Sequence, residues 1–150
     1  MTTETFSIFI DATPEQVFPF VGDLPRHSEW ATDRMEFEPL TTGAICTESQ
    51  YRSTSHFKGT MIKAELKVKE YRPPERFAFT VEDRTGQYEH IFTLRPQQDG
   101  TLVTREVHSV DTPFSRIVHA ILLPILIKPE GNKALRKLKA KVEHECQKSG

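Results

Sequence analysis

Ile62-Lys63-Ala64-Glu65-Leu66-Lys67-Val68-Lys69 alternates without a break between apolar and charged side chains. A period of two over such a run describes a strand with one face in a core and the other in water. Pro73-Pro74 ends it, because proline cannot donate to a ladder. Downstream the same period returns: Phe77, Phe79 and Val81 share a face, and Asp83-Arg84-Thr85-Gly86 makes a turn. Tyr88, His90, Phe92 and Leu94 then share one face of the next strand. Asp99-Gly100 is a further turn signal, and Thr101 to Ser109 reads as the last strand. Upstream, Met35 to Leu40 and Ile45 to Ser53 read as strands, and Phe6, Ile8 and Ile10 mark another near the start.

Helices flank this block. Thr13 is an N-cap candidate with Pro14 at the first helical position and Gln16 placed for a capping box. That helix, Glu15 to Val21, ends at Gly22, and a second short turn runs from Pro25 to Trp30. Thr112-Pro113 opens a long C-terminal helical region. Pro124 and Pro129 each remove a backbone donor, which predicts an interruption within Leu123 to Gly131. The segment from about Glu130 to Gln147 places Leu135, Leu138 and Val142 on one stripe.

The order is therefore strand, two short helices, six strands and one long broken helix. Consecutive antiparallel strands need a cover for their apolar face, and the C-terminal helix is the element long enough to supply it. The expected fold is α+β: a seven-stranded curved antiparallel sheet wrapped around a long kinked C-terminal helix. A gap between curved sheet and helix is a natural ligand cavity.

The 150 residues fit one domain spanning 1–150, at roughly 100–200 residues per domain. Lys plus Arg total 20 against 21 Asp plus Glu, a net charge of -1, which argues against a nucleic-acid partner. Cys46 and Cys146 are too few for a disulfide framework and are expected to be free thiols. No basic leader precedes the first strand. The apolar run Ile117 to Ile127 is short of the roughly 20 residues a membrane span needs. The expected location is the cytoplasm, as monomer or homodimer, with room for transient membrane contact through that run.

Four stretches carry a resemblance to a known family. They are Ile10-Asp11-Ala12-Thr13-Pro14-Glu15-Gln16-Val17-Phe18; Asp23-Leu24-Pro25 running to Trp30; and Glu70-Tyr71-Arg72-Pro73-Pro74-Glu75-Arg76-Phe77. The fourth is Asp99-Gly100-Thr101-Leu102-Val103-Thr104, followed downstream by Ala134-Leu135-Arg136-Lys137-Leu138-Lys139 and Glu143. In order and spacing these resemble the SRPBCC superfamily, also called START-like or helix-grip, of the polyketide cyclase/dehydratase and lipid-transport type. The resemblance implies the helix-grip fold and a small hydrophobic or amphipathic ligand, lipid or polyketide-like. Such proteins share no catalytic motif, so fold alone does not fix function.

Candidate ligand contacts follow from strand phase. If Leu94 pairs with Thr101, Phe92 faces Val103, His90 faces Arg105 and Tyr88 faces Val107. The family pattern puts this set on the concave face. Arg105 offers a fork of donors for a carboxylate, with His90 beside it. The structural alternative is that Arg105 pairs with an internal Glu or is turned outward by a bulge. Trp30 is expected at the pocket lip or as a core plug, and Tyr51, Leu66, Phe77 and Phe79 line the wall or pack the core. Ile117, Ile121, Leu122 and Ile125 of the apolar helix face the pocket, a partner or a membrane. The stripe Lys133, Lys137 and Lys141, with Arg136 and Lys139 nearby, reads as a solvated helix face rather than a phosphate site.

Metal and nucleophile readings fail on spacing. The six histidines, His27, His56, His90, His108, His119 and His144, form no close ligand pair, and no Gly-rich phosphate loop or serine elbow is present. No cofactor is expected. Two functions remain: a binding or carrier protein, or a cofactor-free cyclase or dehydratase. In the second, His90 shuttles a proton and Arg105 polarises an enolate oxygen, with Glu106 or His108 replacing them if the strand phase is off by one.

Overall fold

The computed structural model describes residues 2–57, 59–109 and 128–149. Seven strands form one antiparallel sheet in the order β1-β7-β6-β5-β4-β3-β2. They are β1 (Thr2–Ile10), β2 (Arg34–Pro39), β3 (Gln50–Phe57), β4 (Thr60–Arg72), β5 (Arg76–Asp83), β6 (Gly86–Gln97) and β7 (Gly100–Ser109). Between β1 and β2 lie helix α1 (Pro14–Val21) and a 3-10 helix (Leu24–Glu29). Helix α2 (Lys128–Ser149) closes the chain. This is the α+β arrangement read from the sequence.

Local chemistry explains the junctions. The Thr13 hydroxyl accepts from the Gln16 N–H at 3.3 Å while the Gln16 side chain accepts from the Thr13 N–H at 2.9 Å. This reciprocal capping box satisfies two donors that helix geometry strands. Strand β4 carries a bulge between Val68 and Glu70, where its register against β5 shifts. The extra residue leaves Val68 and, three positions on, Tyr71 both turned toward the core.

One strand boundary needs correction. The sequence reading ran β3 from Ile45 to Ser53, whereas residues 46–49 form a turn. The Cys46 carbonyl accepts from the Ser49 N–H, the Ser49 hydroxyl accepts from the Cys46 N–H, and Glu48 has φ of 77°. A Ser hydroxyl competing for the backbone wins over strand propensity here.

Helix α2 lies against β1 and α1 and buries the expected stripe of Leu135, Leu138 and Val142. The expected interruption at Leu123 to Gly131 falls largely outside the described residues. Within 128–131 the helix is continuous. Cys46 and Cys146 are both free thiols. No helix among the described residues is long and apolar enough to cross a membrane.

Candidate functional site

A cavity of about 350 Å³ lies between the concave face of the sheet and α2. The strand alternation decides which residues reach it: Phe6 from β1, Phe37 from β2, Ala64 and Leu66 from β4, Phe79 and Val81 from β5. Leu24, His27 and Trp30 close it on the side of the 3-10 helix, and Gly131 and Ala134 on the side of α2. At Gly131 the helix approaches the sheet closely. A Cβ there would stand 2.6 Å from the Phe6 ring.

Polar side chains also reach this wall from the sheet: Glu4, Ser53, Ser55 and Asp83, and a bonded pair, His90 and Arg105. Arg105 and His90 both line the cavity, and Arg105 Nη2 donates to His90 Nδ1 at 2.9 Å. The register differs from the one expected. Leu94 lies opposite Val103, Phe92 opposite Arg105, His90 opposite Val107 and Tyr88 opposite Ser109. The β6–β7 ladder runs two residues further along, through Pro96 and Gln97, because the two-residue connection is Gln98-Asp99, with Gln98 at φ of 54°. A slip of two leaves every side chain on its own face, so the pair survives as diagonal rather than direct neighbours. Glu106 and His108 consequently point to the other face, where they bond to each other at 3.3 Å.

Arg105 is unusual in what it lacks. No carboxylate among the described residues lies within ion-pair distance of it, and its Nε is sealed from solvent with no hydrogen-bond partner. The guanidinium lies 5.3 Å from the centroid of the Phe92 ring, a contact worth about 0.5–2 kcal/mol. Burial lowers its pKa to about 10, which leaves it a cation at neutral pH. Both alternatives raised by the sequence, an internal Glu partner and an outward bulge, are replaced by a bond to a neutral histidine.

His90 stacks on Phe79, with centroids 5.0 Å apart and planes 2° from parallel. Burial, then the charge of Arg105, holds its pKa well below the ordinary histidine value. Because Nδ1 accepts from Arg105, the proton of the neutral ring is on Nε2, which makes that atom a donor.

The sequence reading missed His27. It donates from Nε2 to the Val21 carbonyl at 2.7 Å and packs among Trp30, Phe77, Phe79 and Phe92. Burial lowers its pKa to about 3, with the Arg105 charge adding to the effect. The available signal was the spacing Leu24, His27, Trp30. At three residues per turn these share one face, and the two apolar members show that the face is inward.

Of the other expected contacts, Trp30, Leu66 and Phe79 line the cavity. Trp30 is also core: it is 1% exposed and its indole N–H donates to the Phe20 carbonyl at 3.1 Å. Tyr51, Phe77, Phe92 and Val103 are buried in the core behind the lining. Tyr88 shares a hydrogen bond with Thr85 at 2.6 Å beside the β5–β6 turn, at a separate depression. Ile117, Ile121, Leu122 and Ile125 lie outside the described residues. The lysine stripe is partly a tether. Lys137 donates to the Ala31 carbonyl, Lys139 to the Phe9 carbonyl, and Lys141 pairs with Glu29 and Glu145.

Solved structures share this architecture. The protein TTHA0849 from Thermus thermophilus is similar, with TM-score 0.77, 18% identity and coverage of 96% of this chain and 99% of that one. The protein NE0264 from Nitrosomonas europaea matches with TM-score 0.76 at 11% identity, over 97% and 96% of the two chains. The protein CV1439 from Chromobacterium violaceum matches with TM-score 0.70 at 18% identity, over 94% and 96%. At these identities the likeness is one of fold. No curated protein matches the chain. A family model covers residues 1–143, nearly the whole sequence. The chain belongs to that family, described as polyketide cyclase / dehydrase and lipid transport.

Proposed function

We propose that the protein binds a small amphipathic molecule bearing an anionic group, as a cytoplasmic binding or carrier protein. The apolar body of the ligand occupies the space between sheet and α2, and its anionic oxygen sits against Arg105 and the Nε2–H of His90. One observation carries this reading: a cation that lines a largely apolar cavity, makes no ion pair with any carboxylate of the described residues, and has a sealed, unpartnered Nε. A buried charge left without a partner costs several kcal/mol, and an anionic ligand supplies the missing half of the pair. The family description supports a ligand-binding role at the coarser level.

The alternative is a cofactor-free cyclase or dehydratase with His90 as proton shuttle. Its weakness is chemical. The nitrogen of His90 able to take a proton is already bonded to Arg105, and the atom left free is a donor. That favours binding over catalysis at His90.

Calorimetric titration with decanoic acid tests the proposal. Arg105→Gln should weaken binding by on the order of 10-fold or more, as expected for loss of a charge-assisted contact. Equal affinity in both proteins would overturn it. Native mass spectrometry of the freshly purified protein checks for a retained acid.

A further inference from the structure

We infer that His27 is a specificity-determining residue that reads a hydroxyl on the ligand, so that the preferred ligands are hydroxylated acids rather than simple ones. This rests on the anionic-ligand reading of Arg105 and goes beyond it. His27 Nε2–H is committed to the Val21 carbonyl, which fixes both tautomer and ring orientation. Its other nitrogen, Nδ1, therefore carries a lone pair. No group of the described chain donates to that atom. Nor is it a sealed orphan. Among the described residues the buried side-chain nitrogen or oxygen without a partner is Arg105 Nε, so Nδ1 of His27 is open to the cavity the residue lines.

Around Phe79 and Phe92 the cavity thus presents two donors, on Arg105 and His90, and an acceptor, on His27, while the carboxylates of the lining come from Glu4, Asp33, Asp83 and Glu130. The two donors and the acceptor are gathered on shared aromatic rings. His27 and His90 both contact Phe79, at 5.8 and 5.0 Å between centroids, and His27 and Arg105 both contact Phe92, at 5.7 and 5.3 Å. The side chains stacked around His27 itself, Trp30, Phe77, Phe79 and Phe92, are aromatic. An acceptor open to an apolar cavity is costly to cover with a hydrocarbon, because the water it loses is not replaced. A ligand O–H replaces that water. The complementary ligand has an oxyanion to accept from Arg105 and His90 and, a short reach away, a hydroxyl to donate to His27.

The test compares decanoic acid with a series of hydroxydecanoic acids in which the hydroxyl moves along the chain. At least one isomer should bind the wild-type protein on the order of 10-fold or more tightly than decanoic acid, since a site built for a hydroxyl penalises its absence. His27→Phe, which keeps an aromatic ring among aromatic neighbours, should abolish that preference while still binding decanoic acid. Arg105→Gln should weaken every acid alike. If no isomer outranks decanoic acid, or if His27→Phe retains the preference, the inference fails and the Arg105 anchor stands. If no acid binds, or Arg105→Gln binds them all as well as wild type, the anionic-ligand reading itself fails. Should His27→Phe not fold, nitrogen NMR of the wild-type protein decides. The His27 Nδ1 resonance should shift between the decanoic and preferred hydroxydecanoic complexes, and an unchanged resonance would overturn the proposal.

Discussion

Arg105 and His90 do not face each other across the β6–β7 ladder: Phe92 stands opposite Arg105, and the guanidinium reaches along the diagonal to His90 Nδ1. The diagonal leaves the guanidinium beside the Phe92 ring at the cavity wall, without an ion pair to any carboxylate of the described residues. A cation is thus held in an apolar wall by one neutral hydrogen bond and one ring face.

Replacing that cation should separate stability from binding. Arg105→Met removes a buried charge that no carboxylate of the described residues balances, and the relief of that desolvation cost offsets the loss of the bond to His90. Urea denaturation of the ligand-free protein should show no loss of stability, while affinity for decanoic acid falls. A large destabilisation instead would mean that the arginine is part of the scaffold.

The buried histidines make stability depend on pH in a defined direction. His27 has a pKa of about 3 in the folded protein, and His90 is also held well below the ordinary value of 6.5. In the unfolded chain both protonate near 6.5, so the unfolded state binds more protons below that pH and stability falls as pH drops. Between about 6.5 and 5 the loss is the histidines' own, since the carboxylates with lowered pKa values contribute only at more acidic pH. Denaturation midpoints measured across that window should decline, and His27→Phe should reduce the slope. A flat profile would contradict the burial of these rings.

Thr13→Ala should cost about 1 kcal/mol by removing one half of the capping box at α1. Thermal unfolding checks this, and Thr13→Ser should recover most of the loss. No residue of α1 lines the cavity, and Thr13 lies at the opposite end of the helix from the Phe20 and Val21 carbonyls that hold Trp30 and His27, so decanoic acid binding should be unaffected at temperatures where the variant is folded.

Gly131→Ala places a methyl group 2.6 Å from the Phe6 ring. The gain in helix propensity, about 1 kcal/mol, is outweighed by an overpacking cost of about 1–3 kcal/mol. Phe6 lines the cavity, so its displacement should also shrink the space available. Calorimetry with acids of increasing chain length should show the longest losing most.

The sheet was legible because half-buried strands write their burial directly into an alternating pattern, as at Ile62 to Lys69. Even the misjudged register of the last hairpin cost little, since a slip of two preserves the face of Arg105 and His90. A slip of one would have sent Arg105 outward and brought Glu106 in. The β3 boundary was less legible, because Ile45 is apolar enough to pass for strand and the decisive bond comes from the Ser49 hydroxyl. His27 escaped for a different reason. A six-residue 3-10 helix is too short for periodicity to stand out, and a polar residue on an inward face carries no apolar signature of its own.

The Leu24-His27-Trp30 face has a consequence for how such a pocket diversifies. On the proposed reading, Trp30 at the C-cap of the 3-10 helix limits ligand shape and His27, one turn earlier, discriminates ligand polarity. The two rings are in contact at 4.6 Å and both bond to carbonyls at the end of α1, so a substitution that displaces Trp30 should also disturb the bond from His27 to Val21. Shape selection and polarity selection are therefore mechanically linked. Descendants of this sequence would alter both together, and an engineer widening the cavity at Trp30 should expect to rewrite its taste for hydroxyl groups in the same step.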